Sequence, residues 1–97
     1  MSFPQIEEEI SSLLNLSLKE LHRRGLEVLL TQELHQLEAE LFRLLGRYGV
    51  QDVFEMETLY QEGKLAEAES WEDFFTIDHL TTRITELKAA REKLRRT

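Results

Sequence analysis

The sequence predicts an all-α fold: an antiparallel hairpin of two long helices, about residues 18–45 and 71–95, with a short capping helix between them and a short N-terminal helix. Three observations carry this. One proline and four glycines in 97 residues leave long uninterrupted stretches of Leu, Glu, Ala, Lys and Arg, all good helix formers. No segment alternates apolar and polar residues with the period of a half-buried strand. Leucines and isoleucines recur at spacings of three and four along both long segments, which sets them on one side of each helix.

Taken in order, Pro4 stands where a helix can begin, and Ile6, Ile10, Leu13 and Leu14 share a face of a helix running to about Leu14. Asn15-Leu16-Ser17 reads as a break. Ser17 and Glu20 have the spacing of a capping box, in which the hydroxyl accepts from a free backbone N–H and the carboxylate reaches back to another. The long helix that follows carries the seam Leu30, Leu34, Leu37, Leu41 and Leu44. Leu18, Leu21, Gly25 and Val28 continue it towards the N-terminus, displaced around the axis, and Gly25 offers room for close approach by another helix. Gly46 or Gly49 ends this helix by adopting the left-handed conformation.

A short helix from about Gln51 to Glu62 carries Phe54, Met56, Leu59 and Tyr60, and Gly63 stops it. Lys64 to Glu69 is compatible with a helical turn or an acidic loop. Ser70, three residues before Asp73, is the expected cap of the last helix. That helix has the seam Phe74, Ile77, Leu80, Ile84, Leu87 and Leu94, with Arg91 in a seam position and its charge directed outward. Asp78 marks a possible local break.

The long helices would span roughly 42 and 38 Å, so they match, and the connection between them suffices for a reversal and a cap. Two such seams in a single small domain expose more apolar surface than a short helix covers. A homodimer, a four-helix arrangement around Leu30–Leu44 and Leu80–Leu94, is the expected remedy.

Composition limits function. No cysteine is present, so disulfides and thiolate metal sites are excluded. The N-terminus has neither the basic start nor the apolar run of a signal peptide, and no stretch approaches the ~20 apolar residues of a membrane span. A cytoplasmic protein that makes no membrane contact is expected. The net charge of −7 conceals an asymmetry: Met1–Thr82 carries a net −11, and Arg83–Thr97 a net +4. Between Val50 and His79, Lys64 stands alone against nine acidic residues. Such a field repels a phosphate backbone and attracts a basic surface.

Catalytic signatures are missing. None of His22, His35 and His79 has a Glu three residues before it, so the di-iron motif of helical bundles is absent. Serines 11, 12, 17 and 70 fall on helix faces or caps, and no glycine-rich phosphate loop follows a strand. No catalytic, metal-ligating or cofactor-binding residue is assigned, and the chain is expected not to be an enzyme. Arg83, Lys88, Arg91, Lys93, Arg95 and Arg96 form a basic helix end that complements the helix dipole. No aromatic residue lies among them to stack bases, so direct nucleic-acid binding is not expected.

One cluster fits a partner site. Trp71, Phe74 and Phe75 sit among Glu67, Glu69, Glu72 and Asp73, and aromatic anchors rimmed by charge are the usual makings of a binding hot spot. The competing interpretation is that the three rings close the end of the bundle beneath Phe54 and Tyr60.

Arg47-Tyr48-Gly49, Leu59-Tyr60-Gln61-Glu62-Gly63, Trp71-Glu72-Asp73-Phe74-Phe75 and the closing Leu/Arg/Lys-rich helix together resemble a group of small helical bacterial and archaeal proteins. These are antitoxin-like partners in toxin–antitoxin gene pairs. The resemblance spans Arg47 to Leu94, with Ile77-Asp78 where an aromatic is expected, and assigns no individual functional residue. It implies a non-enzymatic module that neutralises a basic partner protein through its acidic-aromatic segment. The alternatives are a coiled-coil oligomerisation adaptor and an acidic inhibitor that mimics nucleic acid.

Overall fold

The computed structural model describes all residues from Met1 to Thr97 and is all-α, with no strand. Four helices follow one another: α1 (Phe3–Leu14), α2 (Leu18–Tyr48), α3 (Val53–Gln61) and α4 (Glu67–Arg95). α2 and α4 form the long antiparallel hairpin, α3 closes the end where they are joined, and α1 folds back on the start of α2. The molecule measures 60 × 27 × 17 Å.

Local chemistry sets the boundaries. Ser2 caps α1, accepting from the Gln5 amide while the Gln5 side chain accepts from the Ser2 N–H, a reciprocal box ahead of Pro4. Ser17 caps α2 by accepting from the Glu20 N–H at 3.1 Å. The Glu20 carboxylate does not reach back. Arg23 and Arg24 bind it instead and hold its pKa down at about 2. Asp52 caps α3 by accepting from the Glu55 amide at 2.9 Å.

Three corners share one device. Asn15, Gly49 and Gly63 adopt positive φ of 55°, 64° and 71°. At each, the next amide bonds back five residues: Leu16 to Ser11, Val50 to Leu45, and Lys64 to Leu59. This double closure satisfies carbonyls that a helix end leaves free. It also explains why α2 runs a turn past Leu45: Gly49, not Gly46, takes the left-handed conformation.

α4 begins at Glu67, four residues before the expected start at Trp71. Ser70 is not its cap. It lies inside the first turn, 2% exposed, with its hydroxyl donating to the Ala66 carbonyl at 2.8 Å. No side chain caps α4, although Glu67 and Glu69 place negative charge at the positive end of its dipole. Asp78 is exposed and causes no break.

The core lies at the closed end of the hairpin, where Leu44, Leu45, Val53, Met56, Ile77 and Leu80 are packed together. Leu34 and Ile84 are buried farther along. Of the other seam residues, Leu30, Leu37, Leu41, Leu87 and Leu94 are half-buried. The seams of α2 and α4 therefore meet each other within one chain. Beyond the core the hairpin is held by polar contacts: the Arg91 guanidinium reaches the Thr31 hydroxyl at 3.4 Å, and Arg95 binds Glu27 at 2.6 Å.

Candidate partner-binding groove

The acidic-aromatic residues are placed by the first two turns of α4 against the last turn of α3. Glu67, Trp71, Phe74 and Phe75 are spaced so that they share one side of α4. Glu57, Tyr60 and Gln61 do the same on α3. Together these seven residues line an open groove of about 430 Å³ between the two helices.

Its walls are aromatic. The Tyr60 and Phe74 rings meet edge to face at 5.5 Å, and Trp71 meets Phe75 in the same manner at 5.8 Å. Phe74 and Phe75, adjacent on the helix, point apart by about 100° with very different results. Phe74 packs against the core, whereas Phe75 is 62% exposed and Trp71 51% exposed. Half of the cluster closes the bundle and half faces outward. Phe54, expected above the three rings, lies outside the groove and is 69% exposed.

A polar pin fixes the groove's width. Ser70 donates to the Ala66 carbonyl, so the Tyr60 hydroxyl donates to Ser70 Oγ, at 2.6 Å. This ties the end of α3 to the first turn of α4 and leaves the buried Ser70 hydroxyl fully engaged.

The acidic residues divide by role. Glu57 and Glu67 stand at the groove, exposed and without ion-pair partners in the chain. Glu69, Glu72 and Asp73 lie beyond Trp71, around a second, smaller depression that Trp71 also borders. Asp73 is a structural anchor: it accepts from the Tyr48 hydroxyl and from Arg47 on α2. The hydrogen bond to Asp73, with some burial, pushes the Tyr48 phenol up to about 12. Lys64, the one basic residue of this acidic segment, pairs with Glu62 at 3.0 Å. Glu57, Glu67, Glu69 and Glu72 thus present an uncompensated negative field around exposed rings.

Sequence reasoning named the residues on the α4 side of this groove, set Tyr60 over the rings only in the competing interpretation, and did not name Glu57 and Gln61. The spacing of three and four from Glu57 to Tyr60 and Gln61 was a usable signal, but only the packing of α3 on α4 makes them neighbours of Trp71. The histidines lie elsewhere. His22 pairs with Glu7 at 2.7 Å, and His35 and His79 are exposed. No three His, Asp or Glu side chains are grouped to hold a metal ion, and no helix is long and apolar enough to cross a membrane.

Comparison with curated proteins and with solved structures finds no match for the chain. A family model matches it from end to end, over residues 1–97, and the chain belongs to the uncharacterized protein MJ0235 family.

Proposed function

We propose that this chain is a non-enzymatic protein-binding module that captures a basic segment of a partner protein in the groove between α3 and α4, as an antitoxin-like protein captures its toxin. The observation that carries this reading is the exposure of Trp71 and Phe75 beside carboxylates that nothing in the chain neutralises. Burying those two rings is favourable, and a protein rarely leaves neighbouring large aromatics half in water without a use for them. The groove suits an arginine or lysine side chain. An apolar stem can lie along the rings, a cation can stack on Trp71 or Phe75, and Glu57 and Glu67 stand close enough to bind its head group. Ser70 is no nucleophile in this arrangement, because its hydroxyl is held by Tyr60 and Ala66.

The sole tryptophan of the chain is its own reporter. An array of arginine- and lysine-rich peptides is expected to contain sequences that shift Trp71 emission on binding, with affinity falling as salt rises. Phe75→Ala should weaken that binding by about 2 kcal/mol and speed dissociation. Glu57→Gln with Glu67→Gln should mainly slow association. A basic array that leaves Trp71 emission unchanged throughout would overturn the proposal.

A further inference from the structure

Every apolar side chain that the fold buries outright lies at Leu34 or beyond. The first 29 residues instead hold nine of the thirteen large apolar side chains left exposed. They form a face. Leu18, Gly25 and Leu29 fall within about 40° of one another on α2, about 120° around the axis from the seam that packs on α4. α1 leaves Gly25 bare: a Cβ built there would meet nothing within 4 Å. Two open apolar grooves flank this glycine, one bordered by Ile10, Leu26 and Leu29, the other by Leu14, Leu16 and Val28.

The chain exposes 7305 Å², whereas a compact monomer of 11.5 kDa exposes about 5,800 Å². The excess reflects an elongated molecule 60 Å long, with its apolar share concentrated in the first 29 residues. Charge identifies the occupant. Lys19, Leu26 and Glu33 are one heptad apart and lie along one line of α2. Lys19 and Glu33 are exposed, and neither has an ion-pair partner within the chain. When two α2 helices cross antiparallel at Leu26, Lys19 of each copy faces Glu33 of the other, and twofold symmetry makes the contact twice.

We infer that this end of α2 is the interface between two copies of the chain, with α2 crossing α2 antiparallel at Leu26 and the exposed Leu29 beside it. It is a different surface from the Leu30–Leu44 and Leu80–Leu94 seams, which meet within each chain. It also lies at the far end of the hairpin from the α3–α4 groove, so either proposal can fail alone.

The test is sedimentation equilibrium of the full chain from micromolar to millimolar concentration. The wild type is expected to form a two-chain species. Leu26→Glu with Leu29→Glu should raise the dissociation constant by roughly a hundredfold while a cooperative melt persists, since both side chains are exposed in the free chain. Lys19→Glu and Glu33→Lys should each weaken association about tenfold, and their combination should restore it. This exposed pair decides the matter even where the double leucine variant fails to fold. A one-chain mass at every concentration, or a dimer indifferent to both sets of changes, overturns the inference. So does a wild-type chain that stays single and seats a foreign helix on this face.

Discussion

Phe75 and Ile77 stand two residues apart on α4 with opposite environments, and truncating each to alanine separates the proposed binding surface from the core. Ile77 is 0% exposed, inside the cluster that closes the hairpin. Removing three of its carbons forfeits about 2.4 kcal/mol of transfer free energy, and the cavity raises the cost to about 3–4 kcal/mol. Phe75, 62% exposed, has only roughly 75 Å² of its side chain covered. Its truncation therefore costs about 2 kcal/mol at most, and nearer ~1 kcal/mol once the burial already present in the unfolded chain is allowed for. Urea titration followed by circular dichroism, with m held in common, measures both. Ile77→Ala should consume a large part of a small domain's stability, while Phe75→Ala should leave a folded protein that binds basic peptide about 2 kcal/mol more weakly. Equal losses near 3 kcal/mol would show that Phe75 is packed like Ile77, and the groove would lose its anchor. A loss below ~1 kcal/mol for Ile77→Ala would mean that the closed end is not the core.

Three further outcomes are expected. Ser70→Ala should cost about 1 kcal/mol by the same denaturation assay, because the Tyr60 hydroxyl loses its acceptor, and amide exchange should quicken in the first turn of α4. Gly49→Ala should destabilise by about 1 kcal/mol, since a side chain at φ 64° is strained there even with open space around it. Ultraviolet titration should find Tyr48 ionising at about 12, above its ordinary 10.0. The folded state favours the neutral phenol, so this contribution to stability is complete below pH 10, declines as pH rises, and is lost through about pH 12. Asp73→Asn should bring the phenol back towards its ordinary value.

The hairpin was legible because its seams are long: Leu34, Leu41 and Leu44 on one helix and Ile77, Leu80 and Ile84 on the other repeat often enough for chance to be excluded. The breaks at Asn15 and Gly63 were legible for the same kind of reason, since few residues tolerate the left-handed conformation. The start of α4 was not. Ser70 with Asp73 has the spacing of a cap, yet a serine hydroxyl can also bond to the carbonyl four residues back within a helix. The packing of Tyr60 against it selects that alternative. The groove was half legible for a related reason: the periodicity of α4 names its own face, but which face of α3 lies opposite is a tertiary fact. The bare face at Gly25 was visible only as a displacement of the leucine pattern around the axis.

The concentration of every buried apolar side chain at Leu34 and beyond also divides the molecule mechanically. The closed end opens only with global unfolding, whereas α1 and the first turns of α2 can open at little cost in a lone chain. With the proposed interface in place, amides before about residue 30 should exchange quickly in dilute protein and slowly in concentrated protein, and a protease should nick the Asn15–Ser17 corner first when chains are scarce. The groove is built wholly on the resistant end, so a ligand bound there as proposed would cost little ordering entropy. The proposed groove thus lies on the end that is fixed in advance, and the proposed interface on the end whose order a second copy would supply.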